Sequence, residues 1–427
     1  MSAFSYKNNV LCAESVPLNQ IAAQFGTPTY VYSKAAIIGN FAAYADACKQ
    51  YASAADATLI CFSVKSNSNL AVLQLLGQCG SGFDIVSGGE LLRVLAAGGS
   101  AAKIIFSGVG KSRDEMQLAL SHEILCFNVE SIPELYRLNA VAGEMGKRAR
   151  ISLRVNPNVD AKTHPYISTG LKQSKFGVSY EDALATYQIA AALPHIDVTG
   201  IDCHIGSQLL DDAPLLEAVD KLIELIDQLA VDGIPIHHLD IGGGIGIDYE
   251  GEQPVAVGDY LQRLFTKIDT WRAASHQGQP IKILFEPGRS IVGNAGVLLT
   301  QVQYLKLGSE KNFAVVDAAM NDLMRPAMYQ AWHGVQAVAP GTAATMTYDV
   351  VGPVCESGDW LARSRDLSIE AGDLLAIMSA GAYGMTMASN YNTRGRAAEV
   401  LIDDATLHLV RKREAAQDLF ALESLLK

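Results

Sequence analysis

Eight short runs of β-branched and aromatic residues recur between Ala57 and Gly288. They are ATLICFSVK (57–65), GFDIVS (82–87), KIIFSGV (103–109), ILCFNV (124–129), RISLRVN (150–156), TGIDCHIG (199–206), IHHLDIGGG (236–244) and KILFEPG (282–288). Each has the length and residue bias of a strand. The segments between them, such as NLAVLQLLGQCG, GELLRVLAAGG and APLLEAVDKLIELIDQLA, space their apolar residues at helical period, and several close on glycine. Strand and helix alternating eight times over about 230 residues predict an α/β fold, a (β/α)8 TIM-type barrel. Beyond Arg289 the pattern changes. AGVLLTQVQYLKLG, NFAVVDAAM, TMTYDVVGPVC, DLLAIMSAGAYG, RAAEVLID and TLHLVRKR are β-rich and punctuated by turns, as in a mainly antiparallel β-sandwich or β-barrel. Only REAAQDLFALESLL, at the end, reads as helical. The early run TPTYVYS (27–33) is placed to join the second sheet. The expected domains are therefore a barrel over 36–290 and a discontinuous β domain from 1–35 plus 291–427.

Polar residues fall at one end of the predicted strands. Lys65, Asp84, Ser87, Ser107, Asn128, Asn156, His204, the glycines 242–244, and Glu286 with Arg289 all sit at or just past strand C-terminal ends, the face that carries the active site in such barrels. Turn formation accounts for the serines and asparagines. It does not account for Lys65, His204 and Glu286, whose ionisable side chains are costly at apolar strand ends unless paired. Lys65 is expected to point into a site.

Composition narrows the classes. Of the 427 residues, 49% are apolar and 18% charged, and the formal charge is −12, which disfavours nucleic acid or an anionic membrane as partner. Seven scattered cysteines without a C-x-x-C pair argue against a disulfide framework or a metal site and for a reducing compartment. The N-terminus shows no signal-peptide pattern and no apolar run is long enough to span a membrane. The expected location is the cytoplasm.

IGGGIGI (241–247) follows the seventh strand, where phosphate binds in this barrel class. Glycines let backbone N–H groups converge on an anion, although a glycine run alone is more often a tight turn. A lysine near such a cradle can hold pyridoxal phosphate covalently. EPGR (286–289) adds a carboxylate, Glu286, able to keep a pyridine nitrogen protonated so that the ring accepts electrons; an isolated Glu286–Arg289 pair would read as a surface ion bridge. HIGSQ (204–208) offers His204 to stack on the ring and Ser207 as a hydroxyl for the phosphate.

These residues carry a family resemblance. FSVKSNSN, GFDIVSGGEL, FSGVGK, FNVES, RVNPNVDAKTHPYISTGLKQSKFG, GIDCHIGSQL, LDIGGGIG, FEPGRSIVGNAG, VVDAAMNDLMRPAMY, VVGPVCESGD and SAGAYGMTMASNYNTRGRAAEV resemble, in order and over nearly the whole chain, the diaminopimelate decarboxylases, of the alanine-racemase-like, fold-type III class of pyridoxal-phosphate enzymes. The resemblance implies decarboxylation of meso-2,6-diaminopimelate to L-lysine and CO2, the last step of lysine biosynthesis, by a homodimer whose active sites are shared at the interface. It implies that Lys65 holds pyridoxal 5'-phosphate and that Asp84 belongs to its site. It places Glu286 at the ring nitrogen and His204 on the ring. Ser207, Gly242, Gly243, Gly244 and the Pro287, Gly288 and Arg289 end of EPGR hold the phosphate. Arg289, Arg325, Tyr329, Glu356 and Tyr383 contact substrate, Tyr383 the cofactor also, and Cys355 is the acid supplied by the partner subunit.

The residue chemistry agrees on substrate type. A distal amine alone, as in lysine or ornithine, has no use for an arginine, whereas a distal amino-acid group suits both Arg325 and Glu356. Taken singly, each charge could be a surface pair. Six of the cysteines read as small buried hydrophobes, while Cys355 lies in a polar loop beside ESGD, where a reactive thiol is plausible. The rival readings are a related decarboxylase of D-lysine, D-ornithine or a carboxylated polyamine, and a catalytically dead cofactor-binding regulator.

Overall fold

The apolar runs become eight parallel strands in the computed structural model, which describes residues 3–53, 57–160, 170, 174–274 and 280–426. They are β1 (Thr58–Ser63), β2 (Gly82–Ile85), β3 (Ile104–Phe106), β4 (Cys126–Val129), β5 (Ala149–Asn156), β6 (Ile196–Asp202), β7 (His238–Asp240) and β8 (Lys282–Phe285). Sequential strands pair in parallel, and β8 returns to β1 through Ile283↔Thr58 and Phe285↔Ile60, closing the barrel. Residues 161–169 and 171–173 of the RVNPNVDAKTHPYISTGLKQSKFG run lie outside the described residues.

Inside the barrel the two-residue period of the strands sorts chemistry by depth. Leu59, Cys61, Ile105, Cys126 and Leu284 pack together as an apolar layer. Two residues further along β1, β3, β4 and β8 come Ser63, Ser107, Asn128 and Glu286, all buried. An apolar floor therefore carries a polar upper layer at the C-terminal ends. Caps decide where the intervening helices begin: Asn69 accepts from the Ala71 N–H, and Ser87 and Ser131 accept from Glu90 and Glu134 N–H groups. Ser87 and Asn69 thus follow the turn explanation. Gly98, at φ +81°, ends the helix Gly88–Ala96, and the next N–H, of Gly99, reaches back to the Val94 carbonyl.

Packing divides the chain into two units. One comprises 40–247 and 253–290; the other comprises 1–39, 248–252 and 291–427. In the second, strands run in the order 360–367, 346–351, 312–316, 296–306, 29–33, 398–403, 406–411, with 374–377 also on 296–306. The pairings are antiparallel except 312–316 with 346–351 and 29–33 with 398–403. Leu11, Leu18, Ile21, Val31, Val297, Leu299, Val400 and Ile402 form its core.

One element differs from expectation. The closing stretch forms only a short 3-10 helix, Ala416–Phe420, and Leu422, Leu425 and Leu426 are exposed. A short amphipathic helix depends on burying its apolar face, and these leucines face no core within this chain.

Candidate active site

β1 ends at Ser63 and the chain turns through a 3-10 segment, Val64–Ser66, which turns Lys65 off the strand line. Its Nζ lies 2.6 Å from Asp84 Oδ2, and Ser63 Oγ donates to the same oxygen at 2.9 Å. The β1–β2 register, Ser63↔Asp84, places this partner. Asp84 is fully buried while the Lys65 side chain stays 32% exposed, so the amine sits between a buried anion and open space.

Glu286 follows β8 and is buried. Its Oε1 accepts from Asn128 Nδ2 at 3.3 Å and Ser107 Oγ at 3.4 Å. Burial, then the Asp84 and Asp240 carboxyls, push its pKa well above the carboxylate range, with Lys65 pulling partly back. Asp240, at the end of β7, is pushed up to about 7, chiefly by burial. Its Oδ1 accepts from the Gly242 N–H at 2.9 Å, whereas Oδ2 has no hydrogen-bond partner of good geometry among the described residues. Three buried acids this close demand protons or a cation.

His204 lies just past β6. Its Nδ1 accepts from the Gly243 N–H at 3.2 Å, so the neutral ring carries its proton on Nε2. Burial, then Arg154 and Lys65, hold its pKa well below the ordinary value. Lys65, Ser107, Arg154, Phe176, His204 and Glu286 line one cavity of about 470 Å³.

The glycine run packs tightly. A Cβ on Gly243 would sit 2.2 Å from the Glu286 carbonyl oxygen, and one on Gly242 2.5 Å from that of Cys203. The Gly242 and Gly243 N–H groups are directed to Asp240 and His204, so in this chain those two glycines first of all shape the loop. A Cβ on Gly244 would meet the Gly206 carbonyl oxygen at 2.7 Å. Ser63 N–H bonds the Pro287 carbonyl at 3.0 Å, and a Cβ on Gly288 would meet Ser66 Oγ at 2.9 Å. Arg289, buried, points Nε and a terminal NH2 group at Ser207 Oγ, 3.3 and 3.1 Å away.

The remaining candidates belong to the other unit. Arg325 and Tyr329 bracket a five-residue helix; Arg325 is buried against His333 at 2.9 Å, which removes the surface-pair explanation. Cys355 and Glu356 are exposed, and the Cys355 N–H bonds Asn392 Oδ1 at 3.3 Å. Tyr383 is half-buried with φ +56°, an uncommon conformation for an aromatic residue. Five of the other six cysteines are buried and Cys79 is half-buried.

The first unit's residues fit pyridoxal phosphate. An amine opens onto a cavity of ligand size, a neutral imidazole can face an aromatic ring, and a buried carboxyl with a raised pKa can share a proton with a ring nitrogen. Comparison with known proteins agrees. Residues 42–293 match the family model described as "Pyridoxal-dependent decarboxylase, pyridoxal binding domain". The chain is 58% identical to a diaminopimelate decarboxylase of Pseudomonas aeruginosa and 53% to one of Vibrio cholerae, with 100% of each chain covered in both cases. Its fold is similar to that of diaminopimelate decarboxylase from Helicobacter pylori complexed with L-lysine, with TM-score 0.89, 43% identity, and 95% and 99% of the chains covered. The enzyme from M. jannaschii in co-complex with L-lysine gives 0.94 at 37%, covering 99% and 98%. This chain belongs to the diaminopimelate decarboxylase family.

In this family member, several further groups line the cavity or flank the residues that do. Asp240 was hidden inside LDIGGG, where the glycines drew attention. Ser107 and Asn128, polar residues at strand ends, both bond the Glu286 carboxyl. Arg154, whose NH1 lies 3.1 Å from Glu130 Oε1 and whose guanidinium lies 4.8 Å from the Phe176 ring centre, had a signal: a cation at an inward position of an apolar strand.

Proposed function

We propose that this chain decarboxylates meso-2,6-diaminopimelate to L-lysine and CO2 with pyridoxal 5'-phosphate. The observation that carries the reading is the single cavity onto which Lys65, His204 and Glu286 open, in a chain similar over its full length to diaminopimelate decarboxylases. When bound, the cofactor supplies a sink for the electron pair left by departing CO2.

The roles of the residues are as follows. Lys65 Nζ would hold the cofactor, with Asp84 as its counter-charge. Glu286, oriented by Asn128 and Ser107, would hold a proton for the ring nitrogen. His204, neutral, covers one ring face and helps exclude water. Ser207, Arg289 and the Gly244 and Gly288 backbone would hold the phosphate, with Gly242, Gly243 and Pro287 shaping the loops around it, and Tyr383 would add a contact. Arg325 pairs with the distal carboxylate, Glu356 with the distal ammonium, and Tyr329 completes that end. The bond from carbon to the proximal carboxylate breaks, and the Cys355 thiol gives its proton to that carbon. Cys355 comes from the partner subunit of a homodimer. We further place the enzyme in the cytoplasm, without nucleic-acid or membrane partners. The free cysteines suit a reducing compartment, and the formal charge of −12 disfavours anionic partners.

A buried Arg325 favours diaminopimelate over substrates with only a distal amine. The test is a panel of meso-diaminopimelate, D-lysine, D-ornithine and a carboxylated polyamine given to the cofactor-loaded protein. Equimolar L-lysine and CO2 are expected from the first; CO2 only from another member would overturn the assignment.

A further inference from the structure

The guanidinium of Arg325 is held by two residues to which no role has been given. NH1 lies 2.9 Å from His333 Nε2, and the Tyr249 ring lies against its face, with the guanidinium carbon 4.8 Å from the ring centre. His333 is fully buried, and its Nδ1 lies 2.8 Å from the Met378 carbonyl oxygen. A carbonyl only accepts, so Nδ1 carries the ring proton; a guanidinium only donates, so Nε2 presents its lone pair. The neutral Nδ1–H tautomer satisfies both neighbours.

His333 is itself fixed from several sides. Its carbonyl oxygen accepts from Arg365 Nε and NH2 at 3.3 and 3.0 Å. The Met378 N–H bonds the Gly334 carbonyl at 2.8 Å, next to the paired strands Val335–Ala337 and Leu374–Ile377. Tyr249 also meets His333 edge-on, with ring centres 5.4 Å apart and planes at 82°. An arginine side chain has many rotamers to lose on binding a ligand. Here one N–H of the guanidinium is set by a histidine anchored beside the sheet and one face by the Tyr249 ring, which fixes the plane in which its fork can meet a carboxylate.

We propose that His333, with Tyr249, is a positioning residue for substrate selection: it pre-orients Arg325 and thereby sets affinity for ligands that carry a distal carboxylate, without acting on the bond that breaks. The proposal rests on the reading of Arg325 as the group that binds this carboxylate. Packing alone would be served by an apolar ring at this position, whereas an imidazole held in one tautomer offers the arginine an acceptor.

The experiment compares His333→Phe, His333→Gln, Tyr249→Leu, Arg325→Ala and the double variant His333→Phe/Arg325→Ala as cofactor-loaded proteins. The probes are L-lysine, which keeps the distal amino-acid group, and cadaverine, which lacks the carboxylate. Binding is measured by calorimetry, beside KM and kcat for meso-diaminopimelate. His333→Phe is expected to weaken L-lysine and raise KM about tenfold, the scale of a hydrogen bond to a charged group. It should leave cadaverine binding unchanged and kcat within about twofold. Gln, whose amide oxygen can accept from Arg325, should recover most of the loss. In the Arg325→Ala background His333→Phe should cost nothing more. Equal losses for lysine and cadaverine, a parallel fall in kcat, or additive losses in the double variant would overturn the proposal. So would a weakening by Arg325→Ala that neither His333→Phe nor Tyr249→Leu reproduces. Unchanged lysine affinity in Arg325→Ala alone would remove the underlying reading of Arg325, a distinct result. Should His333→Phe fail to fold, Tyr249→Leu reads the same split.

Discussion

Glu286 and Asp240 show how burial turns ordinary carboxyls into proton holders. Glu286→Gln keeps an oxygen for Asn128 and Ser107 but removes the group that can share a proton with a ring nitrogen. Turnover is expected to fall on the order of 10²-fold or more, the scale of a lost acid–base group, while cofactor affinity changes by less than about tenfold. Steady-state kinetics beside cofactor titration checks this, and near-normal turnover would remove Glu286 from its role. Asp240 makes a prediction for the cofactor-free protein. Burial pushes its carboxyl up to about 7 in the folded chain, against about 4 when unfolded. Below about pH 4 both forms are protonated and folding carries no penalty; above about 7 both are ionised and the penalty is complete. Stability due to this group is therefore lost as pH rises between those limits. Urea unfolding across that range should show wild type losing ground to Asp240→Asn; a constant difference would contradict the assignment.

One tightly packed element is the loop after β7, where a Cβ on Gly243 would meet the Glu286 carbonyl oxygen at 2.2 Å. Gly243→Ala should cost about 1–3 kcal/mol, as overpacking does, and should also release cofactor, because the same loop faces His204. Gly258, where a Cβ meets open space, is the control: alanine there should be neutral or slightly stabilising. Equal unfolding midpoints for the two variants would contradict the close packing. Elements of this kind were largely legible in the sequence. The barrel strands read clearly because parallel strands bury both faces and appear as apolar runs, and Lys65, His204 and Glu286 stood out by breaking those runs. What was not legible depended on contacts between distant strands. Asp240 matters because β8 brings Glu286 beside it, and His333 because Tyr249 and Met378 lie around it. The closing helix failed for the converse reason, since its leucines find no partner surface.

At the scale of the whole molecule, the proposed roles divide between the two units, with Lys65 in one and Cys355 in the other. If each site combines Lys65 of one subunit with Cys355 of its partner, two dead variants should complement. Cys355→Ala should cost about 10²–10⁴ in rate, and Lys65→Ala should be inactive. Dissociated, mixed equally and reassembled, about half the dimers are mixed and one site in each is intact, returning about a quarter of wild-type activity. No recovery, with subunit exchange verified, would defeat the shared site. That Lys65 joins this chain to pyridoxal phosphate is open to a more direct test. The cofactor-loaded protein is reduced with borohydride, digested, and the modified lysine located by mass spectrometry. One cofactor per chain, fixed on Lys65, is expected; modification of any other lysine would overturn the assignment.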